Sequence, residues 1–354
     1  MSFLKCLICL VLPGFASIHL SFGQNKNPYL VYDGKWSDYK ATSISYFLDE
    51  QKVGLVLSGG GAKGLSHIGV IKALEENEIP IDYLTGTSMG AIVGGMYAIG
   101  MTPDEMKKMA MSSEFINLAM GEIDEKYKFY FNQQDPNSSW LSLKIAKDSI
   151  WETSLPTGYI NPVGIDFLMM EKTAGASAAA NYNFDSLLIP FRCVASDVQS
   201  KSEVVFREGH LSEAIRASST FPFYMMPISV GNKLLFDGGL YNNFPTNVMY
   251  NEFYPDIIIG SNVALTLPPP SADNIISQIK SMLMRREVFS VICDNGILIE
   301  PKHEAGTFSF SQSEVESIID SGYSATIAKM TEIKNTVKRR ITVEEIDAKR
   351  KKFK

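Results

Sequence analysis

The feature that most constrains the fold of this chain is a pair of glycine-rich turns, each lying between an apolar run and a stretch with helical spacing. The first turn occupies residues 58–64 and follows the apolar run at residues 53–57; the second occupies residues 86–90 and follows residues 81–85. Short, continuous apolar runs are typical of strands that are buried on both faces, as in parallel sheets. The order therefore predicts two successive strand–turn–helix units.

Strand-like and helix-like segments keep alternating along the rest of the chain. Apolar runs recur at residues 189–195, 203–206 and 256–260, and a hairpin is predicted at residues 228–236. With 45% of its residues hydrophobic, the chain can build a sizeable core. Such alternation indicates an α/β fold, because helices cover the faces of a parallel sheet. We expect a three-layer α/β/α sandwich with a largely parallel central sheet.

The second turn has the sequence of a nucleophile elbow, Gly-x-Ser-x-Gly, with Ser88 at its centre. In such an elbow the serine lies in a sharp turn between strand and helix, and the flanking glycines, here Gly86 and Gly90, relieve crowding. A serine that only caps the following helix would fit the same letters. Because a strand is predicted before Ser88 and a helix after it, the context favours a catalytic nucleophile.

The first turn offers a series of backbone N–H groups at the start of a helix. Its residues after Ser58 are Gly59, Gly60, Gly61, Ala62, Lys63 and Gly64. N–H groups at a helix N-terminus suit negative charge, which beside a serine nucleophile would be the tetrahedral oxyanion. The letters also satisfy the dinucleotide fingerprint, but Asp82, the candidate ribose ligand, lies at the start of the second strand, whereas that acid belongs at its end. Lys63 either adds positive potential or is a surface lysine.

A serine nucleophile needs a base, and the sequence offers histidines and an aspartate. His67 follows the first turn at an offset that suggests a packing or orienting role, His210 lies in a turn, and His303 lies in a charged segment. Together with Asp237, His303 would reproduce the Ser-Asp-His order of α/β-hydrolases. Asp237 alone is better placed, since it ends an apolar strand and precedes two glycines. To accept the serine proton, its pKa would have to rise by desolvation from the usual value of about 3.9.

Gly-Gly-Gly-x-x-Gly at residues 59–64, Gly-x-Ser-x-Gly at residues 86–90 and Asp-Gly-Gly at residues 237–239, in this order, resemble the patatin-like phospholipases. The resemblance covers residues 53–263. It implies a Ser88–Asp237 dyad without histidine and an oxyanion hole. The hole would be formed by the N–H groups of Gly59, Gly60 and Gly61, and the other motif residues would support it: Ala62, Lys63, Gly64, Gly86, Gly90, Gly238 and Gly239.

The resemblance further implies a lipid acyl hydrolase of the phospholipase A or esterase type. Ser88 would attack an ester carbonyl of a phospholipid or another acyl lipid, Asp237 would take its proton, and water would release the fatty acid from an acyl-enzyme. No His, Cys or Asp cluster stands at ligand spacing, so neither a metal nor another cofactor is expected. Two alternatives stay open. One is a soluble esterase or peptidase with a Ser-Asp-His triad, and the other is a non-catalytic envelope protein that keeps the fold as an interaction module.

Residues 1–23 have the layout of a secretory signal peptide. A short start with one positive charge precedes an almost entirely apolar stretch at residues 6–18, and small residues follow it. The apolar stretch is too short for a comfortable membrane span. We therefore expect export to the periplasm or the exterior. Of the four cysteines, Cys193 and Cys293 would remain in the mature chain, too few for a disulfide framework.

The expected organisation after the signal peptide is an extended segment (24–52), a catalytic domain (53–265) and two C-terminal parts. A helical insertion rich in Met and aromatic residues (101–182) interrupts the catalytic domain; it would be core, form an acyl groove or make peripheral contact with a membrane. Residues 266–337 are predicted to be helical and to pack on the core. Residues 338–354 form a basic tail, either solvated or attracted to anionic lipid. The formal net charge of -6 argues against nucleic-acid binding.

Overall fold

The computed structural model describes residues 51–122, 158–264 and 269–353, except for short gaps in the last range. The gaps are 275–276, 279–280, 283, 286–288, 294, 305 and 307–308. The predicted signal peptide, almost all of the predicted extended segment and the middle of the predicted insertion lie outside the described residues.

Strands and helices alternate along the described chain as the sequence predicts. The strands are β1 (Val53–Leu57), β2 (Tyr83–Thr87), β3 (Gly158–Ile160), β4 (Phe191–Asp197), β5 (Ser202–Phe206), β6 (Phe223–Met225), β7 (Ile228–Val230), β8 (Lys233–Asp237), β9 (Ile257–Ser261) and β10 (Ile297–Ile299). The helices are α1 (Ser66–Glu76), α2 (Met89–Ala98), α3 (Pro103–Ala110), α4 (Ser113–Ala119), α5 (Val163–Ala179), α6 (Leu211–Ser218), α7 (Thr246–Phe253), α8 (Gln312–Thr336) and α9 (Val343–Phe353). Within the described ranges, no helix combines the length and apolar character needed to cross a membrane.

A largely parallel sheet forms the centre of the fold, as predicted. Its strands lie in the order β10-β9-β1-β2-β4-β8-β7, and β5 pairs with β4. Strands β10, β9, β1, β2 and β4 run parallel to one another, whereas β5 and β8 pair with β4, and β7 with β8, in antiparallel fashion. Strand β3 pairs with β6 in a separate two-stranded sheet. The carboxyl ends of β1, β2 and β9 therefore meet at one edge of the sheet, where both glycine-rich turns follow.

Helices cover both faces of the sheet because successive side chains of β1 point in opposite directions. Val53, Leu55 and Leu57 face the main hydrophobic core, which also contains buried side chains of α1, α2 and α8. Val56 faces the other side and packs with Met249 of α7 in a second cluster. The predicted three-layer α/β/α sandwich is confirmed.

Two ion pairs attach the C-terminal residues to the core, and one of the two is buried. Arg350 in α9 is buried and forms an ion pair with Glu75 of α1, which also accepts a hydrogen bond of 2.6 Å from the Tyr97 hydroxyl. Arg339 pairs with Asp82, whose carboxylate also accepts the Val53 N–H at 2.8 Å. The predicted basic tail is thus largely a docked helix in this structure, because two of its arginines satisfy carboxylates near the ends of α1 and β2.

Helix α8 lies against α1 at two points where only glycine fits. A Cβ atom at Gly322 would overlap the carbonyl oxygen of Ser66, and one at Gly69 would overlap the carbonyl oxygen of Ile319. Backbone atoms cannot move aside as the end of a flexible side chain can. The predicted packing of a C-terminal helix on the core therefore takes the form of a close helix–helix contact at α1.

We expect Gly322→Ala to lower the free energy of unfolding by about 1–3 kcal/mol, because the added methyl group forces α8 away from α1. Gly175→Ala in α5 is the matched control. Nothing lies within 4 Å of a Cβ at Gly175, so alanine there should be neutral or stabilise by up to about 1 kcal/mol. Urea unfolding of both variants measures the difference, and equal stability would contradict the close contact.

Candidate active site

Strand β4 brings the elbow serine and the aspartate together by its register. Thr87, the last residue of β2, pairs with Val194, and Asp237, the last residue of β8, pairs with the next β4 residue, Ala195. Ser88 follows Thr87, so it emerges beside Asp237. Ser88 Oγ donates a hydrogen bond of 2.6 Å to Asp237 Oδ2. The two side chains that the sequence predicts as a dyad are therefore in direct contact.

The elbow holds Ser88 in a strained conformation. Its backbone has φ 55° and ψ -123°, a region that residues with a side chain rarely occupy. Both flanking glycines are required by close backbone approach: a Cβ at Gly86 would overlap the carbonyl of Gly90, and a Cβ at Gly90 would overlap the carbonyl of Leu57. The turn is tight enough to present Ser88 Oγ at the N-terminus of α2.

Ser218, which sequence reasoning did not single out, holds the backbone of the elbow at Ser88. Its hydroxyl accepts a hydrogen bond of 3.0 Å from the Ser88 N–H and donates one of 2.6 Å to the carbonyl of Val194. Ser218 is the last residue of α6 and is fully buried. Ser218 lies in none of the three motifs at residues 59–64, 86–90 and 237–239, so no motif pointed to it.

Asp237 is a buried carboxylate with an unusually high proton affinity. Burial raises its pKa to about 6, while hydrogen bonds from the Ser88 hydroxyl and the Gly239 N–H, the latter 2.8 Å long, act in the opposite direction. Gly238 cannot carry a side chain, because its Cβ would overlap the carbonyl of Val194. A carboxylate of this kind can take a proton from a serine hydroxyl more readily than an ordinary aspartate can.

The glycine turn lies beside Ser88, but its N–H groups differ in availability. The Gly59 N–H donates a hydrogen bond of 3.0 Å to the carbonyl of Asn243. Gly60 and Gly61 line the cavity next to Ser88. They stand at the start of a short 3-10 helix (Gly61–Leu65), where N–H groups have no acceptor within the helix. Of the three N–H groups predicted as oxyanion donors, those of Gly60 and Gly61 remain available, because that of Gly59 already donates to Asn243.

The remaining residues of the glycine motif serve packing and charge. Ala62 is fully buried, and a Cβ at Gly64 would lie only 2.6 Å from the Cβ of Met89 in α2. Lys63 lines the cavity, and its side-chain ammonium group has no hydrogen-bond or ion-pair partner among the described residues. The motif thus brings α2 close to the turn and leaves one cation at the cavity wall.

None of the three histidines among the described residues lies at the dyad. His67 is buried and bonded to Ser58 and Ser261. His303 Nε2 lies 3.0 Å from Ser317 Oγ on α8, and His210 precedes α6. No histidine lines the cavity in the part of the chain that the structure describes. In the same part, no group of three or more His, Cys, Asp or Glu side chains is placed to hold a metal ion.

A cavity of about 300 Å³ opens in front of the Ser88–Asp237 pair. Its walls are mainly apolar, and much of the lining comes from the predicted insertion. That part consists of Phe115, Leu118, Ala119, Ile160, Ile165 and Met169. Arg216 also lines the cavity, but its Nε lies 2.6 Å from Asp166 Oδ1 and its Nη2 donates to the carbonyl of Met226 at 2.9 Å. A cavity of this composition suits an apolar chain next to a reacting carbonyl.

The family model described as Patatin-like phospholipase matches residues 55–250, more than half of the 354-residue chain. The matched range contains all three motifs and both members of the Ser88–Asp237 pair. The chain belongs to the patatin-like phospholipase family.

Three similar curated proteins are each much longer than the region that matches this chain. The chain is 31% identical over 228 residues to the Patatin-like phospholipase domain-containing protein ZK370.4 of Caenorhabditis elegans, covering 64% of this chain and 14% of that protein. It is 33% identical over 207 residues to Lysophospholipase NTE1 of Kluyveromyces lactis, covering 57% and 12%. For the uncharacterized NTE family protein Rv2565 of Mycobacterium tuberculosis, the identity is 30% over 208 residues, covering 59% and 30%. The chain matches less than a third of the length of each.

Among solved structures, the chain is similar to VipD from Legionella pneumophila, with a TM-score of 0.41 and 14% identity over 81% of this chain and 67% of VipD. It is also similar to ExoU from Pseudomonas aeruginosa, with a TM-score of 0.41 and 13% identity over 82% of this chain and 53% of ExoU. Both TM-scores are below 0.5.

The raised pKa of Asp237 has a consequence for stability. Between about pH 4 and 6 the folded protein holds a proton on Asp237 that the unfolded chain has lost, so the free energy of unfolding falls as pH rises through this window. Asp237→Asn removes the buried charge; the amide oxygen can still accept the Gly239 N–H, and the amide nitrogen can donate to Ser88 Oγ instead of accepting from it. We expect this variant to be more stable than the wild type at pH 8 by up to about 3 kcal/mol, with the difference shrinking below about pH 6 and vanishing near pH 4. Urea unfolding at several pH values measures it; a variant less stable than the wild type at pH 8 would contradict the assignment.

Proposed function

We propose that this protein is an exported lipid acyl hydrolase of the phospholipase A or esterase type, with Ser88 and Asp237 as a catalytic dyad. The observation that carries the proposal is the 2.6 Å hydrogen bond from Ser88 Oγ to a buried carboxylate, at the wall of an apolar cavity. Family membership and the lysophospholipase name of the yeast relative support lipid ester hydrolysis. Export is proposed from the layout of residues 1–23 alone.

In the first half of the proposed reaction, Ser88 Oγ attacks the ester carbonyl carbon while Asp237 Oδ2 takes the hydroxyl proton. With a pKa of about 6, Asp237 is ionised at neutral pH but is more basic than an exposed aspartate. The carbonyl oxygen becomes an oxyanion, which accepts hydrogen bonds from the N–H groups of Gly60 and Gly61. The N-terminus of α2, on which Ser88 stands, adds favourable potential for this negative charge.

In the second half, the tetrahedral intermediate collapses and the carbon–oxygen bond to the alcohol breaks. The leaving alkoxide takes the proton from Asp237, and the acyl group stays on Ser88 as an ester. Water then attacks the acyl-enzyme, again giving its proton to Asp237. Collapse of the second intermediate returns the proton to Ser88 Oγ and releases the fatty acid.

The cavity supports an acyl lipid with a charged head group as the substrate. Its apolar walls can hold a fatty acyl chain, since burial of each methylene group contributes about 0.8 kcal/mol. Lys63 lies at the same cavity as Gly60 and Gly61 and has no acidic partner among the described residues. A cation there favours a phosphate-bearing lipid over a neutral glyceride.

The direct test is incubation of the purified protein with mixed phospholipids and neutral lipids, followed by identification of the products by mass spectrometry. We expect free fatty acid and lysophospholipid, with a rate that increases with pH through about pH 6 as Asp237 ionises. A fluorophosphonate probe should label the wild type and should not label Ser88→Ala. Because His303 lies outside the cavity lining, His303→Gln should keep full activity.

Each alternative predicts a different result in these measurements. Loss of activity in His303→Gln would favour a Ser-Asp-His triad. Absence of both turnover and labelling in the wild type would overturn the proposal and favour a non-catalytic interaction module. Release of fatty acid from neutral lipids alone would agree with the dyad but would contradict the preference for a phosphate-bearing lipid that we infer from Lys63.

We also propose that the protein makes peripheral contact with a lipid surface. The segments that line the cavity also carry apolar side chains that are exposed to solvent. Tyr159 is 78% exposed, Phe167 61% and Phe223 69%. Phe223 also has φ 65°, an uncommon conformation for a bulky residue. Side chains of this kind beside the cavity favour a lipid surface as the source of the substrate.

We expect Phe167→Ser to reduce cosedimentation with phosphatidylcholine vesicles by about 10-fold, since insertion of one aromatic side chain contributes roughly 1.5–3 kcal/mol. Ile327→Ser, at an exposed apolar residue of α8, is the matched control and should bind as the wild type does. Equal binding by both variants would contradict this surface. A change from dimer to monomer in Phe167→Ser alone would identify an interface between copies of the chain instead.

A further inference from the structure

His67 is a buried titratable group that the proposed reaction does not use. It is the second residue of α1, directly after the glycine turn, and it is fully buried. Both of its ring nitrogens have a partner: Nε2 lies 2.9 Å from the Ser58 carbonyl oxygen, and Nδ1 lies 2.8 Å from Ser261 Oγ. The ring thus links the end of β1, the end of β9 and the start of α1.

These partners determine the tautomer of His67. A carbonyl oxygen can only accept a hydrogen bond, so Nε2 carries the proton and donates it to Ser58. Nδ1 of the neutral ring then accepts the hydroxyl proton of Ser261. Burial lowers the pKa of His67 to about 4, so the ring stays neutral where Asp237 is ionised. His67 is therefore a fixed donor toward the turn and not a base.

The Ser58–Gly59 peptide unit is held at both of its ends. Its carbonyl oxygen accepts the hydrogen bond from His67, and its N–H, that of Gly59, donates to the carbonyl of Asn243 at 3.0 Å. Because a peptide unit is planar, these two bonds fix its rotation. The next two N–H groups along the chain are those of Gly60 and Gly61, so their directions are set from the orientation of this unit by the backbone rotations at Gly59 and Gly60.

Ser58 is also fixed through its own N–H and its hydroxyl. Its N–H donates to the carbonyl of Ser261 at 3.1 Å, and its Oγ accepts the N–H of Val263 at 2.9 Å. Val263 in turn packs on Gly60, where a Cβ would lie 2.6 Å from Val263 Cγ2. If the His67 bond is lost, the buried Ser58 carbonyl loses its hydrogen-bond donor. The residues that follow are glycines, whose backbones resist rotation least, so the turn can change its conformation.

We propose that His67 is a positioning residue for the oxyanion hole, because its Nε2–H fixes the Ser58–Gly59 peptide and so aims the N–H groups of Gly60 and Gly61 at the substrate carbonyl oxygen. The inference rests on the proposed function, since the aim matters only if an oxyanion forms. Negative charge on that oxygen is largest in the transition state, so misaligned donors lower kcat more than they raise KM. Loss of one such donor costs about 100- to 1000-fold in kcat; loosening the turn should cost about 10- to 100-fold.

Two amide variants separate donation to Ser58 from the mere presence of a polar side chain. In His67→Gln the amide nitrogen reaches the place of imidazole Nε2, so it can donate to Ser58. In His67→Asn the shorter side chain puts the amide near the place of Nδ1, toward Ser261. On a monomeric short-chain ester, we expect His67→Asn to lose about 10- to 100-fold in kcat with nearly unchanged KM, and His67→Gln to recover most of it. His303→Gln, at a half-buried histidine outside the cavity lining, should equal the wild type.

Several outcomes would overturn the inference. Wild-type kcat in a folded His67→Asn variant, or equal losses in the Asn and Gln variants, would show that the Ser58 bond does not position the donors, while the dyad would stand. Turnover of no ester by the wild type would overturn the proposed function and this inference with it. If His67→Asn does not fold, ¹⁵N NMR of the wild-type imidazole decides: we expect a protonated Nε2 and an unprotonated Nδ1 from about pH 5 to 9, and the reverse tautomer would refute the assignment.

Discussion

The structure depends on keeping one ionised carboxylate, Asp237, buried at the edge of the central sheet. Burial of a charge is costly unless hydrogen bonds compensate, and Asp237 has two such bonds, from the Ser88 hydroxyl and the Gly239 N–H. Both donors are in place because β4 fixes the ends of β2 and β8 one residue apart. The rest of the fold therefore has to hold β4 rigidly, and its residues are buried along their whole length.

Close backbone approach at the elbow is the second part of the same constraint. Gly86 and Gly90 allow the end of β1, the end of β2 and the start of α2 to lie in contact, and the strained Ser88 is held between them. Strain of this kind persists only where the surroundings determine the conformation. Here the Ser88 N–H bond to Ser218 and the Oγ bond to Asp237 do so from two directions.

The motifs and the layer order could be predicted from the sequence because they depend on local patterns. Buried strands are continuous apolar runs, and an elbow needs glycines two residues before and after the serine. The occupied N–H of Gly59 could not be predicted, since its acceptor, Asn243, is 184 positions away in the chain. The partner of Arg350 could not be predicted either. The sequence places Arg350 in a basic tail, and its partner, Glu75, lies in α1. Charges and backbone donors find their partners through the tertiary fold, and a sequence pattern carries little information about that choice.

The polar groups around the glycine turn come from parts of the chain that only the folded sheet brings together. Ser58 directly follows β1, Ser261 ends β9, His67 is the second residue of α1, and Asn243 lies just before α7. A buried neutral imidazole with two bonds is well suited to such a junction, because it joins a carbonyl to a hydroxyl without adding a charge near Asp237. A lysine or arginine there would lower the pKa of the carboxylate through its positive charge. The neutral link keeps the turn in place and leaves the proton affinity of Asp237 to be set by its burial.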